Sequence, residues 1–268
     1  HAKLIYEVHD LWPLSPMELG GYSKKHPFIR IMQKAEDDCY RYADAVVSML
    51  PKAEEHMREH GLTRDKFHYV PNGIVLSDWN NPKGIPEEHG LLLSKLRAEG
   101  KFIVGFAGAH GIANSLYAVI DAVSSLTEQN VVLVLVGGGQ EKENLIKYAH
   151  KKGVTNVYFL LPINKLAIPN LLKEMDVLYI GLQKQSLFRF GISPNKMFDY
   201  MMAAKPIIQA IDAGNNLVRE ADCGIDVEPD NVSEISKAIL ALKSMSEEER
   251  RKLGENGKKF VLSNLSLI

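Results

Sequence analysis

Phe190-Gly191-Ile192-Ser193-Pro194-Asn195-Lys196-Met197-Phe198-Asp199-Tyr200-Met201-Met202-Ala203-Ala204-Lys205-Pro206-Ile207-Ile208 is the most informative stretch of this chain. It reads as loop, helix and strand. Ser193 is a good N-cap and Pro194 suits the first helical position, so a helix is expected to start there. The free backbone N–H groups of a helix start form an anion site. Lys196 adds a mobile positive charge beside it. Asp199, about one and a half turns into the helix, is placed to accept two hydrogen bonds from vicinal hydroxyls, as on a ribose. The same residues also read as a capped core helix with surface charges.

From Lys101 the chain takes a regular rhythm, with strands expected at Phe102–Phe106, Val131–Val136, Val157–Leu160, Val177–Ile180, Pro206–Ile208 and Gly224–Val227. Helical stretches lie between most of them. In the first, Leu116, Val119, Ile120, Val123 and Leu126 recur at helical spacing and form one apolar face. Strands that are apolar throughout and alternate with helices imply a parallel sheet covered on both sides. The fold class is therefore α/β and doubly wound, with ligands expected at the carboxyl ends of the strands. A last helix, Glu247 to Val261, carries acids in its first turn, as the helix dipole prefers.

The first part of the chain alternates in the same way. A buried strand over Ala2–Val8 precedes a helix at Pro27–Tyr42, a strand at Ala45–Met49, a helix at Pro51–His60 and a strand at Phe67–Val70. The turn Pro71-Asn72-Gly73 follows, then an Asn-, Pro- and Gly-rich run, Ser77–Gly90, that reads as a linker. A helix over Glu87–Ala98 closes it. The expected domains are 1–75, a linker over 76–100, and 101–268.

The bulk numbers agree. At 268 residues the chain suits two domains, or one and a half. Its formal charge of −1 lacks the basic excess of a nucleic-acid binder, so no nucleic-acid partner is expected. Cys39 and Cys223 stand apart, with no CxxC or Cys/His cluster, so neither a disulfide framework nor a zinc site is expected and a reducing cytoplasm is the natural compartment. No apolar run approaches ~20 residues, the length of a membrane span. The chain opens directly in a strand with no leader-like stretch, and reads as a fragment.

Two further segments place backbone near a ligand. Phe106-Ala107-Gly108-Ala109-His110-Gly111-Ile112-Ala113-Asn114-Ser115-Leu116 is a strand, a loop and a helix start; Val134-Leu135-Val136-Gly137-Gly138-Gly139-Gln140 is a strand running into a Gly-rich turn. Such a turn lets backbone approach a ligand closely. A dinucleotide site would place an acid ~20 residues on, but the next strand ends Phe159-Leu160-Leu161-Pro162. A nicotinamide-dependent oxidoreductase therefore ranks low.

The 190–208 stretch resembles the donor-site motif of family-4 glycosyltransferases, which have the GT-B fold of two Rossmann-like domains. In that motif two acids eight positions apart precede a small-residue helix end and a Lys-Pro-Val-Ile-like strand. The second acid, the ribose ligand, matches Asp199; the position of the first, which contacts the donor hexose, is Gly191. The wording from Ser193 to Met201 resembles a branch that builds capsule and O-antigen polysaccharides. Where the family usually has Gly, this chain has Ala204. Tyr6-Glu7-Val8-His9-Asp10-Leu11-Trp12-Pro13 resembles the N-domain strand end whose His contacts the donor sugar; Asp10 either orients that ring or caps the next turn. Val70-Pro71-Asn72-Gly73-Ile74 resembles the family's hinge entry. Many relatives carry Arg and Lys in the first donor-domain loop, where this chain has Ala109 and Asn114. The family's opening strands have no counterpart, so the N-terminal domain is expected to be incomplete.

The resemblance implies a retaining transferase that moves a hexose or N-acetylhexosamine from a nucleoside diphosphate, UDP first, to a lipid-linked or polysaccharide acceptor, with peripheral membrane contact. The basic, apolar Lys24–Arg41 region reads first as a solvated helix and second as an aid to that contact. His9 is the expected catalytic residue. Donor contacts are expected from Gly108, Ala109, Asn114, Gly137, Gly138, Leu161, Ile192, Ser193, Asn195, Lys196 and Asp199, with backbone groups near Leu161 reading the base. The chain has no Asp-x-Asp pair, the metal–diphosphate clamp of the other large glycosyltransferase fold. No metal or other cofactor is therefore expected, and charge on the leaving diphosphate would be met by Lys196, the helix start and loop amides. The alternatives are a GT-B sugar-nucleotide epimerase and a non-catalytic nucleotide-sugar-binding subunit.

Overall fold

The computed structural model describes residues 2–267. They form two compact units. The first comprises residues 1–72, 185–193 and 213–215, and the second comprises residues 73–184, 194–212 and 216–268.

In the first unit β1 (Ile5–Val8), β2 (Ala45–Ser48) and β3 (Phe67–Tyr69) form a parallel sheet in that order. Between them run α1 (Leu14–Gly20), α2 (Pro27–Tyr42) and α3 (Glu54–Glu59). Val8, Leu11, Tyr40, Ala43, Val46, Ala53, Met57 and Leu62 make the core. β1 pairs only with β2 among the described residues. As an edge strand it buries Val8 alone and leaves Leu4 and Ile5 exposed, against the expected buried strand. α2 leaves Phe28 and Ile31 exposed as well. α3 begins three residues after the expected start because Pro51 and Lys52 form a turn.

The second unit opens with β4 (Ile74–Val75), α4 (Leu76–Asn80) and α5 (Glu87–Ala98). It continues through β5 (Phe102–Ala107), α6 (Leu116–Ser124), β6 (Val131–Val136), α7 (Lys142–Lys151), β7 (Val157–Leu160), α8 (Ile168–Lys173) and β8 (Val177–Gly181). It ends with α9 (Asn195–Met202), β9 (Ile207–Ala210), α10 (Leu217–Glu220), β10 (Gly224–Val227), α11 (Val232–Ser244), α12 (Glu247–Asn264) and β11 (Ser266–Leu267). Six strands form one parallel sheet in the order β10-β9-β8-β5-β6-β7. Every residue of β5, β6, β8 and β9 is buried, whereas the flanking β7 and β10 are only partly so. The chain starts at the middle of this sheet, builds outward through β6 and β7, then returns to build the other half from β8. The strand order reverses between β5 and β8, where a doubly wound sheet opens its ligand crevice.

The expected linker is not a linker. α4 and α5 belong to the second unit, where Lys83 donates its amide to the Leu166 carbonyl (2.8 Å) and Leu93 and Leu96 are buried. β4 pairs with β11, which brings the two ends of this unit together. Nor does the second unit hold all of 101–268. Residues 185–193 are fastened to the first unit by the paired hydrogen bonds of Arg189 to Glu18 (2.6 and 2.8 Å) and by Lys52 N–H to the Phe190 carbonyl (2.9 Å). Both cysteines are free thiols. Among the described residues no helix is long and apolar enough to cross a membrane.

Candidate functional site

At the carboxyl end of β5 the chain turns at Gly108, passes Ala109 to Gly111 and enters α6 through a tight turn ending at Asn114. Tyr200, on α9, clasps the strand end: its hydroxyl accepts the Ala107 N–H (2.9 Å) and donates to the Ala107 carbonyl (3.2 Å). One turn earlier on the same helix, Lys196 therefore projects over this loop. Its Nζ donates to Asn114 Oδ1 and sits 4.5 Å from the centre of the Phe106 ring. Asn114 Nδ2 in turn donates to the Ala109 carbonyl (3.0 Å). Three residues expected at the donor, Gly108, Asn114 and Lys196, are thus brought together. Burial pushes the Lys196 ammonium down to about 8, and among the described residues no carboxylate pairs with it to offset this.

The glycine turn after β6 has a different primary reason from the expected one. A Cβ on Gly137 would lie 1.9 Å from the Gly108 carbonyl oxygen, and one on Gly139 would lie 2.5 Å from that of His110. Both have φ of +149°. These glycines let two neighbouring loops interlock backbone to backbone, through Gly108 N–H to Val136 O (3.0 Å) and His110 N–H to Gly138 O (2.7 Å). That pairing uses two of the loop amides expected to face a ligand; the Ala109 and Gly111 amides carry no hydrogen bond among the described residues. Gly138 has room: its nearest neighbour would be Pro162 Cγ at 3.9 Å. A mainly apolar cavity of about 340 Å³ opens here, lined by Gly108, Ala109, Gly137, Gly138, Pro162 and Ile163 among others. Leu161 is not in its wall, and the Leu161 carbonyl is bonded to His89 Nε2 (2.9 Å), so it is already engaged rather than free to read a base.

Asp199 is half-buried on α9. The Trp79 indole of α4 donates to its carboxylate, and Lys165, paired with Asp78 at 3.0 Å, lies close enough to stabilise its charge. Burial outweighs both and raises its pKa above the usual carboxylate range. Asn195 is exposed in the first turn of α9.

The sequence reading misplaced the start of that helix. It begins at Asn195, with Pro194 as N-cap and no side-chain cap. The Ser193 hydroxyl accepts the Asn72 N–H (2.9 Å), and the Ser193 carbonyl accepts from Asn72 Nδ2 (2.7 Å). Ile192 is buried, with its N–H and C=O both held by the Asn215 amide (2.8 and 3.0 Å). Both residues belong to the first unit. So does Gly191, at φ +98°, where a Cβ would lie 2.5 Å from Pro51 Cγ and Cδ. His9, also in the first unit, is largely exposed, and its Nε2 pairs with Glu7 (2.9 Å) rather than Asp10.

One residue escaped the sequence reading. His110 is fully buried between Phe106 and Phe159, and neither ring nitrogen has a hydrogen-bond partner. Burial, with the charges of Lys142 and Lys196, pushes its pKa down to about 4, so the ring is neutral at physiological pH. Its place between two glycines in a loop after a buried strand was the available signal.

Comparison with known proteins places this geometry. The family described as "Glycosyl transferases group 1" matches residues 93–260. A Bacillus subtilis (strain 168) protein, TuaH, named for teichuronic acid biosynthesis glycosyltransferase activity, is 24% identical over 215 residues, which cover 77% of this chain and 50% of that protein. The chain spans about half the length of the curated relatives it matches. Among solved structures, Anabaena Alr3699/HepE in complex with UDP aligns with a TM-score of 0.74 at 18% identity, covering 98% of this chain and 68% of that one. WaaG, a glycosyltransferase involved in lipopolysaccharide biosynthesis, aligns with a TM-score of 0.70 at 18% identity, covering 97% and 70%. The shared fold is GT-B.

Proposed function

This chain belongs to the glycosyl transferases group 1 family, and from that premise we propose that its second unit binds a nucleoside diphosphate sugar as the donor in glycosyl transfer. The observation that carries this reading is the meeting of Lys196, Asn114 and the Gly108 backbone where the strand order reverses. An ammonium without a counter-ion beside free Ala109 and Gly111 amides is suited to a diphosphate. The flat apolar cavity beside Gly138 and Pro162 would take the base, and Asp199 the ribose hydroxyls. UDP is the first candidate nucleotide, since HepE was solved with it.

In this mechanism the bond from the sugar's anomeric carbon to the diphosphate breaks, and its electron pair leaves with the diphosphate. Lys196 and the loop amides stabilise that charge as it develops, which speeds the step because they are already in place. A metal is not needed for this role. The acceptor hydroxyl oxygen then bonds to the anomeric carbon and its proton passes to the departing diphosphate oxygen, with retention of configuration as the family resemblance implies. His9 is assigned to the donor sugar, a hexose or N-acetylhexosamine. The acceptor class is a lipid-linked or nascent surface polysaccharide of the capsule or O-antigen kind, in keeping with the processes named for TuaH and WaaG. Exposed Phe28 and Ile31 on α2, beside Lys24, Lys25 and Arg30, would hold the protein at the inner face of the membrane. Gly191 favours one second reading. The position that would carry the family's hexose-binding acid has no space for a side chain, which also fits a subunit that binds donor without transferring it.

Calorimetry with UDP tests the site. Asp199→Ala should weaken binding by about 10- to 100-fold, the worth of hydrogen bonds to a charged group; an unchanged dissociation constant would remove Asp199 from the ribose. A thermal-shift screen with UDP-, GDP- and dTDP-sugars that moved the melting temperature with none of them would remove the donor reading altogether. Donor binding without transfer to any acceptor would favour the non-catalytic subunit.

A further inference from the structure

The first unit holds a cluster that the donor reading does not use. His56 and His60 are four residues apart on α3 and its C-cap, so they project from one face. That face meets Glu36 of α2, and one ligand atom from each of Glu36, His56 and His60 lies within 4.8 Å of the others. Glu36 is 4% exposed and forms no ion pair with any Lys or Arg among the described residues. Its oxygens accept only neutral donors, Tyr40 Oη (2.8 Å) and Gln33 Nε2 (2.9 Å). His56 Nε2 is buried with no hydrogen-bond partner. His60 Nδ1 lies 2.9 Å from Asp37 Oδ1 and 2.7 Å from Gln33 Nε2, whose two hydrogens go to the carboxylates of Glu36 and Asp37; with Nδ1 as the N–H toward Asp37, Nε2 keeps its lone pair. A carboxylate behind an imidazole is the usual outer partner of a metal-bound histidine.

A buried acid without a cation, a buried nitrogen without a donor and an oriented second imidazole all lack the same thing. We propose that Glu36, His56 and His60 bind a zinc ion that pins α3 to α2. Two imidazoles and one carboxylate match zinc chemistry, whereas calcium and magnesium take mostly oxygen. A tetrahedral zinc places its ligand atoms about 3.4 Å apart at Zn–N and Zn–O distances near 2.1 Å, a closure that side-chain rotation supplies. Both Glu36 oxygens keep a lone pair for the metal beside their present hydrogen bonds. The charges of Glu36 and Asp37 together balance the ion. Water fills the fourth position from the adjoining groove of about 650 Å³, lined on this side by Gln33, Asp37, His56, Glu59 and His60. The expectation of no zinc site rested on the two cysteines, and this donor set contains none. α3 has only Met57 buried, so a metal anchor has a structural task here, separate from transfer.

The test is metal binding by the 268-residue chain, freed of any affinity tag and stripped with a chelator. Zinc titration should saturate at one equivalent and raise the melting temperature, and cobalt in its place should give the strong visible absorption of a tetrahedral centre. His56→Ala and His60→Ala should each abolish this binding. Asp37→Asn should lower zinc affinity about 10- to 100-fold, and His68→Ala, at an exposed position on β3, should leave it unchanged. Absence of a saturating equivalent, a six-coordinate cobalt spectrum, or binding that survives His60→Ala overturns the proposal. If the histidine variants do not fold, the cobalt spectrum of the unaltered chain and the Asp37→Asn affinity decide it.

Discussion

If Lys196 neutralises a diphosphate, donor affinity must depend on pH in a range where ordinary lysines do not titrate. Burial lowers its pKa in the free chain from 10.5 to about 8. The protonated fraction is then about 0.9 at pH 7 and about 0.1 at pH 9. A bound diphosphate holds the lysine charged, so binding at pH 9 must first restore the proton. The dissociation constant of UDP should therefore rise about tenfold between pH 7 and pH 9, or about 1.4 kcal/mol. The diphosphate adds little slope of its own, since phosphate second ionisations lie near 6. His110 adds none, because its pKa is about 4. The stability of the free protein moves the other way. The folded pKa is depressed below the unfolded one, so stability increases as pH rises from about 8 towards 10.5. Calorimetry of UDP and of uridine at both pH values reads the effect, with uridine reporting any titration of the base. Lys196→Ala should weaken UDP more than uridine at pH 7 and flatten the pH dependence. A wild-type affinity that does not change with pH refutes the argument. A slope that persists in Lys196→Ala likewise refutes the assignment to Lys196.

Two substitutions test the framework around the site. Ala204 sits at φ +53° at the end of α9, where an L side chain is strained, so Ala204→Gly should stabilise the protein by about 0.5–1 kcal/mol in denaturant melts; a loss of stability would show that the methyl group packs well enough to outweigh the strain. Gly137→Ala places a methyl against the Gly108 carbonyl and should cost about 2–3 kcal/mol, with loss of UDP binding. Gly138→Ala meets only Pro162 Cγ, at an ordinary contact distance of 3.9 Å; it should leave stability within about 0.5 kcal/mol and weaken UDP alone, and equal stability losses at both positions would contradict the interlocked-loop account.

The central strands of the second unit were legible because they are buried on both faces: Val131–Val136 carries no polar interruption and its bounds match the expected ones. The flanking Val157–Leu160 is only partly buried, yet it too was found at its expected bounds. The helix Glu87–Ala98 was equally plain, closed by Gly100. Ala204, which stands where the family usually has Gly, is left-handed. Short pairings were not legible. β4 and β11 are two residues each and meet across almost the whole unit, so no local pattern encodes them. α4 was hidden in a run of turn residues, although its Trp79 supplies the hydrogen bond to Asp199. The stretch from Gln185 to Ser193 read as continuous with the helix after it, because its attachment rests on single side chains, Arg189 to Glu18 and Ser193 to Asn72, far away in sequence. The same long reach took Ser193 from its expected cap. At the site, residue type and spacing pointed to Lys196 and the family resemblance to Asn114, while the neutral, unpartnered state of His110 is a property of packing alone.

Gly191 carries a consequence for how this chain can change. Its left-handed backbone and the Pro51 ring occupy the space a side chain would need. A side chain placed there by one substitution would meet the Pro51 ring, so position 51 must change with it. Two positions far apart in the sequence are thereby coupled, and each limits what the other can become.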